Sequence, residues 1–166
     1  MRIRPAVVAD AERLAPLHVQ AWDEAYTGLM PQEILDAHRS EPMAEKVERW
    51  RGRIVWPDGS TWVAEDDGEL LGFVSTGPGR DGSGILELMA LYVRRSHYDT
   101  GLGHRLLETA LGGTALDETA LGGRPAYLWV LDGNARAIGF YERHGFTFDG
   151  QVEDEPEGLH RRMVRE

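Results

Sequence analysis

Residues 85–93, Ile-Leu-Glu-Leu-Met-Ala-Leu-Tyr-Val, constrain this chain more than any other stretch. The run is apolar almost without a break, and its one charge is Glu87. A half-exposed strand alternates polar and apolar residues. A run this continuous suits a central strand covered on both faces. Behind it come Tyr98-Asp99-Thr100-Gly101-Leu102-Gly103 and a helical pattern over 101–111, in which Leu102, Leu106 and Ala110 recur four apart, as do Leu107 and Leu111. Glycines let the backbone approach a ligand closely, and the free N–H groups of a helix start attract phosphate. The turn is not a P-loop, because Gly-x-x-x-x-Gly-Lys-Ser/Thr is absent. It is not a dinucleotide fingerprint either, because Leu106 stands where a third small residue is required. Taken alone it also fits a plain helix start.

The remaining signals alternate between helix and strand. Arg2 to Val8 reads as a first strand, and Asp10 is placed to cap a helix over 11–26 that Gly28 ends. Pro31 opens a helix over 31–38, and 42–53 forms another with Met43, Val47 and Trp50 on one face. Asp67-Gly68 sets a hairpin between Trp62–Glu65 and Leu70–Ser75. Gly77 to Gly84 reads as a loop. Tyr127–Leu131 is a strand, Asn134–His144 a helix closed by Gly145, and 146–152 and 159–165 are two last strands. Glu108–Gly113 (Glu-Thr-Ala-Leu-Gly-Gly) recurs as Glu118–Gly123, a local duplication that lengthens one connection. No linker composition divides the chain. The expectation is a single α+β domain over 1–166, with a mixed, mostly antiparallel central sheet flanked by helices.

Composition narrows the function. The formal net charge of −10 argues against nucleic acid as a partner and suits a cationic substrate. With no cysteine, thiolate catalysis and Cys-ligated metals are excluded. The six histidines show no metal-ligand spacing, so no metal is expected. No apolar run reaches membrane-spanning length and no signal-peptide pattern opens the chain, so a cytoplasmic protein without membrane contact is expected.

Several motifs together resemble the GNAT superfamily of acyl-CoA N-acyltransferases. They are Leu88-Met89-Ala90-Leu91-Tyr92-Val93, Gly101-Leu102-Gly103-His104-Arg105-Leu106-Leu107, Leu128-Trp129-Val130-Leu131, Asn134-Ala135-Arg136-Ala137 and Phe140-Tyr141-Glu142-Arg143-His144-Gly145-Phe146. The stretch from Trp22 to Pro31 also looks like members of that superfamily. The resemblance implies acetyl-CoA as cosubstrate and an amine acceptor. It implies that main-chain groups of Leu91, Tyr92 and Val93 pair with the pantetheine arm, and that Tyr98, Asp99, Thr100, Gly101, Leu102, Gly103 and His104 cradle the pyrophosphate. Tyr98 and Asp99 depart from the family pattern, which carries Arg or Gln at the first of these positions and often Gly at the second. A carboxylate at 99 opposes a pyrophosphate unless it points away, so altered CoA binding is expected.

Glu87 is a candidate general base, since burial in an apolar strand favours the protonated carboxyl. Period-two alternation puts it on one face with Met89 and Leu91, and it matches the catalytic glutamate of some family members. A solvated or salt-bridged carboxylate is the plain alternative. Asn134 and Tyr141, seven apart, share a helix face with roughly 10 Å between them along the axis. Asn134 also suits an N-cap. By resemblance Asn134 contacts pantetheine, Arg136 and Ala137 add contacts, and the Tyr141 phenol is the general acid at the thioester sulfur. Trp22 and Tyr26 share a face of the first helix, where the resemblance implies the acceptor pocket and ordinary packing is the alternative. His160-Arg161-Arg162 reads as a solvated strand end. The expected reaction is acetyl transfer to a primary amine of a small molecule. A protein or peptide N-acetyltransferase and a non-catalytic acyl-CoA-binding module are the alternatives, and the superfamily's frequent dimers make a homodimer an expectation.

Overall fold

The computed structural model describes residues 1–112 and 124–166. Gly113 and the second copy of the duplicated hexapeptide lie outside the described residues. The strands are β1 (Arg2–Pro5), β2 (Ser60–Asp66), β3 (Glu69–Pro78), β4 (Leu86–Val93), β5 (Ala126–Leu131), β6 (Thr147–Glu155) and β7 (Gly158–Arg165). The α-helices are α1 (Ala11–Tyr26), α2 (Gln32–Ser40), α3 (Met43–Val55), α4 (Leu102–Ala110) and α5 (Ala135–Arg143). The strands form one seven-stranded sheet in the order β1-β2-β3-β4-β5-β7-β6. Every pairing is antiparallel except β4 with β5.

Both faces of the sheet are covered. On one, α4 buries Leu102, Leu106 and Leu107 with Leu88, Leu128, Phe146 and Met163. On the other, α1 and α3 bury Leu14, Leu17 and Trp50 with Val63 and Phe73. The local signals behave as their backbone chemistry requires. Asp67 and Gly68 take φ of 47° and 81°, the left-handed pair that joins twisted strands in a two-residue hairpin. Asn134 caps α5 by accepting from the Ala137 N–H at 3.2 Å.

Tertiary contacts overrule other expectations. The first strand stops at Pro5, and a single 3-10 turn over Val8–Asp10 precedes α1. Asp10 therefore already has helical angles and does not cap α1 with its side chain. Its carboxylate accepts instead from Arg4 at 2.7 Å, Arg13 at 2.7 Å and the Val7 N–H at 2.8 Å. On α3, Val47 and Trp50 pack inward as the spacing implied, and the departure is at two other positions. Met43 is 44% exposed while Lys46 is 4% exposed beside Trp50. β3 continues through Gly77 into the expected loop, where an added Cβ would meet the Trp56 ring at 2.6 Å. Arg162 is no solvated end: it binds Asp149 at 2.7 Å and Asp81 at 3.0 Å.

The largest departure from simple periodicity is in β4. Its register against β3 runs Ser75 to Ala90 and then Thr76 to Leu88, so Met89 is skipped in a bulge. One extra residue exchanges the faces. Leu88, Leu91 and Val93 pack on the α4 side, while Ala90 and Tyr92 pack on the α1 side. Glu87 thus shares a face with Ala90 and Tyr92, rather than with Met89 and Leu91 as alternation implied.

Candidate active site

β4 and β5 pair only at Leu86 with Ala126 and Glu87 with Tyr127. Beyond that point they separate, and β4 keeps its ladder to β3 alone as far as Val93. The gap opens a cleft of about 760 Å³, walled by β4 from Leu88 to Val93 and by β5 from Leu128 to Val130. The end of α1 and the start of α5 complete the wall. On the cleft side, the backbone groups of Leu88 to Val93 have no ladder partner among the described residues. Such groups need a hydrogen-bonding partner, and an extended amide-bearing ligand supplies one in the manner of an added strand.

The glycine turn forms one mouth of this cleft. Gly101 occupies the N-cap of α4 at φ 83°, a conformation strained for any residue with a Cβ. The first N–H groups of α4 follow, unpaired within the helix. Gly103 and His104 line the cleft, whereas the Leu102 side chain is in the core and Thr100 turns back to donate to the His97 carbonyl at 2.7 Å. The two unusual residues meet a common partner. Asp99 sits at φ 61° with its carboxylate 3.1 Å from Arg136, and the Arg136 guanidinium lies 4.1 Å from the centre of the Tyr98 ring. The carboxylate at 99 is thereby occupied by a cation.

Arg95, Arg136, Arg143, His97, His104 and His144 all line this cleft, on a chain whose net charge is −10. Glu24 and Asp99 are the acids among the lining residues. Arg95, Arg143 and His144 were not singled out from the sequence. An isolated basic residue carries no local signal, and its value here comes from convergence across three elements.

Deeper in, three phenols gather. Tyr26 of α1 and Tyr92 of β4 share a hydrogen bond of 2.9 Å, and Tyr141 of α5 lines the same cleft. Burial pushes all three phenols up from their ordinary value, so they stay protonated at neutral pH. Trp22 does not line the cleft; it stacks on His38 with ring centres 4.0 Å apart and packs edge-on to Tyr26 at 5.1 Å. Asn134, Arg136 and Ala137 line the cleft with Tyr141. Glu87, only 2% exposed, does not. Its carboxylate accepts from Arg80 Nη2 at 2.7 Å, from Arg80 Nε at 3.1 Å and from the Tyr127 hydroxyl at 3.2 Å.

The model of the acetyltransferase (GNAT) family matches residues 19–146. The chain belongs to this GNAT family. A Mycobacterium tuberculosis relative named "Probable N-acetyltransferase Rv2775" is 30% identical over 92% of this chain and 83% of its own. The fold is that of the PaiA N-acetyltransferase from Thermoplasma acidophilum, a structure in complex with coenzyme A. The TM-score is 0.72 at 23% identity, over 97% of this chain and 96% of that one. It is also the fold of aminoglycoside 6'-acetyltransferase type Ii, with a TM-score of 0.68 at 24% identity, over 99% and 96% of the two chains. This GNAT protein is an acetyl-CoA-dependent N-acetyltransferase. The open edge of β4, the left-handed glycine before α4 and the basic rim fit the amides, pyrophosphate and charge of that cosubstrate.

Proposed function

We propose that this acetyltransferase acetylates a primary amine of a small molecule by direct attack, with amine and acetyl-CoA bound together. The observation that carries the acceptor class is the path of the segment between α1 and α2. Met30 and Leu35 pack on Leu131 at the end of β5, with Trp22 and Tyr26 against them. The segment therefore bridges from the α1–β4 side to the β5 side of the opening. A bridged opening favours a compact acceptor over an extended chain. The name of the aminoglycoside 6'-acetyltransferase, a relative in fold, points to the same class, and the negative net charge attracts a cationic amine.

Acetyl-CoA supplies the thioester: the amine nitrogen bonds to its carbonyl carbon, the carbon–sulfur bond breaks, and the electron pair leaves on sulfur. In this reading Leu91, Tyr92 and Val93 hold the pantetheine by their main chain. Residues 98–104 and Arg136 hold the phosphates. Asn134 and Ala137 fix the arm beside Tyr141. Tyr141, kept protonated by burial, gives its proton to the departing sulfur. Holding both reactants in one cleft supplies much of the remaining acceleration. Glu87 shares a sheet face with Ala90 and Tyr92, both cleft residues, but does not itself line the cleft. We assign it the amine's proton by way of water rather than by direct contact.

The test is release of free CoA thiol across a panel of polyamines, aminoglycosides, amino acids and short peptides. The expected result is turnover with a small cationic amine and little with peptides. Turnover confined to peptides would overturn the acceptor class. No thermal stabilisation by saturating acetyl-CoA would overturn the assignment of the cleft.

A further inference from the structure

A second cavity, of about 260 Å³, lies among α1, α2 and α3 and is lined by Lys46, Arg49, Arg53, His18, His38 and Trp50. It is separate from the cleft in lining: none of these six residues belongs to the cleft wall. Its charges are out of balance. Lys46 is 4% exposed and makes no ion pair among the described residues; its ammonium donates to the His38 carbonyl. An ammonium has three protons to donate, so this contact leaves capacity unused. A buried cation is costly unless an anion compensates it.

The neighbouring groups do not compensate. Arg53 also makes no ion pair among the described residues, and its guanidinium lies 5.1 Å from the centre of the Trp50 ring. Glu41 is taken by Arg49; Asp23 binds Arg39 through Oδ2 at 2.8 Å, and its Oδ1 is buried without a hydrogen-bond partner among the described residues rather than paired with Lys46 or Arg53. The His38 Nδ1 is buried without a hydrogen-bond partner among the described residues. Burial and the surrounding cations push the His18 imidazole down to about 3, so at neutral pH it adds a polar group and no charge. On a chain of net charge −10, this pocket is a local excess of positive charge with unspent donors.

We propose that this cavity is a binding site for a small oxyanion, a carboxylate or a phosphate, held by Lys46 and Arg53. Its volume exceeds the roughly 30 Å³ share of one water several-fold, enough for such a group with a short organic portion. Cavity and cleft meet at an aromatic contact: the ring centres of His18, which lines the cavity, and Tyr92, which lines the cleft, are 5.4 Å apart. An anion there would brace the α1–α2 side of the acceptor pocket.

The test is thermal melting of the full chain, followed by circular dichroism, with inorganic phosphate in one arm and succinate in the other. Sodium chloride at matched ionic strength is the reference. At least one probe is expected to raise the melting temperature saturably in the low-millimolar range. Arg53→Gln, at an accessible position without an ion pair, should weaken that effect at least fivefold, and Arg136→Gln in the cleft should leave it intact. Lys46→Met should abolish it; if that variant does not fold, Arg53→Gln decides. The arm that responds identifies the anion. No rise with either probe, a rise undiminished in Arg53→Gln, or a rise lost in Arg136→Gln overturns the proposal.

Discussion

The two ends of β4 come from one apolar run and meet opposite neighbours. At the start, Leu86 and Glu87 pair with β5, and Arg80 and Tyr127 hold the Glu87 carboxylate. From Leu88 to Val93 the β5 partner is gone and a cleft takes its place. Apolar continuity therefore reports that both faces of a strand are covered, and it does not say whether the strand's edge keeps a neighbour. The bulge at Met89 stands between the two regimes and redirects the side chains that follow.

The largest effect is expected at the cleft end. Tyr141→Phe should lower kcat by about a hundredfold or more, the range of a lost general acid, with the acetyl-CoA KM changed less than about threefold. An unchanged kcat would remove Tyr141 from the chemistry and leave it as a packing residue beside Phe140. At the other end, Glu87→Gln is expected to lower kcat by less, about tenfold, because Glu87 takes the amine's proton only by way of water. A fall in melting temperature with kcat intact would make the start of β4 structural alone and sharpen the contrast between the ends.

Smaller changes are expected at the mouth. Arg136→Gln should raise the acetyl-CoA KM by about three- to tenfold, a charge-assisted contact being worth about 1 kcal/mol or more. It also leaves the Asp99 carboxylate unpaired. Asp99→Gly should partly restore the KM of that variant and raise the melting temperature slightly, since glycine accepts the left-handed φ without strain. If Asp99→Gly does nothing in the Arg136→Gln background, the carboxylate does not oppose the cofactor.

The smallest effects concern carboxylates far from either end. The Arg4 and Arg13 guanidiniums hold Glu65 down to about 2 from its usual 4.5 and hold Asp10 well below the usual carboxylate range. A depressed carboxylate pKa gives stability that is complete above the unfolded value and lost as pH falls through the folded one. Melting temperatures should therefore decline as pH falls from about 4.5 toward 2, and Glu65→Gln should shrink that decline. His18 adds an earlier loss, because the unfolded imidazole takes a proton below about 6.5 that the folded one refuses until about 3. His18→Phe should reduce the fall in melting temperature between pH 7 and pH 5, leaving the part owed to His38, which burial also pushes down.

Much of the architecture was legible because its signals are local. Asp67-Gly68, Gly28, Gly101 and Asn134 act through backbone sterics and capping within a few residues, and each sits where its chemistry demands. The candidate cleft was legible to the extent that its parts are short motifs: Leu91–Val93, 98–104 and Asn134–Tyr141. The bulge was hidden, because Met89 differs from its neighbours only in how β3 registers against it. Asp10 looked like a cap, and two arginines on neighbouring elements claimed it.

By itself the sequence determined the α+β order of elements, the buried central strand, the glycine turn before α4 and the helix that Asn134 opens. Hydrophobic periodicity and turn sterics need no distant partner to act. Only the tertiary structure decided that β4 parts from β5 after Glu87, that Glu87 is held by Arg80 and Tyr127, and that Lys46 is buried without a carboxylate partner among the described residues. These depend on contacts between residues far apart in the chain, chosen by the packing of whole helices on a twisted sheet.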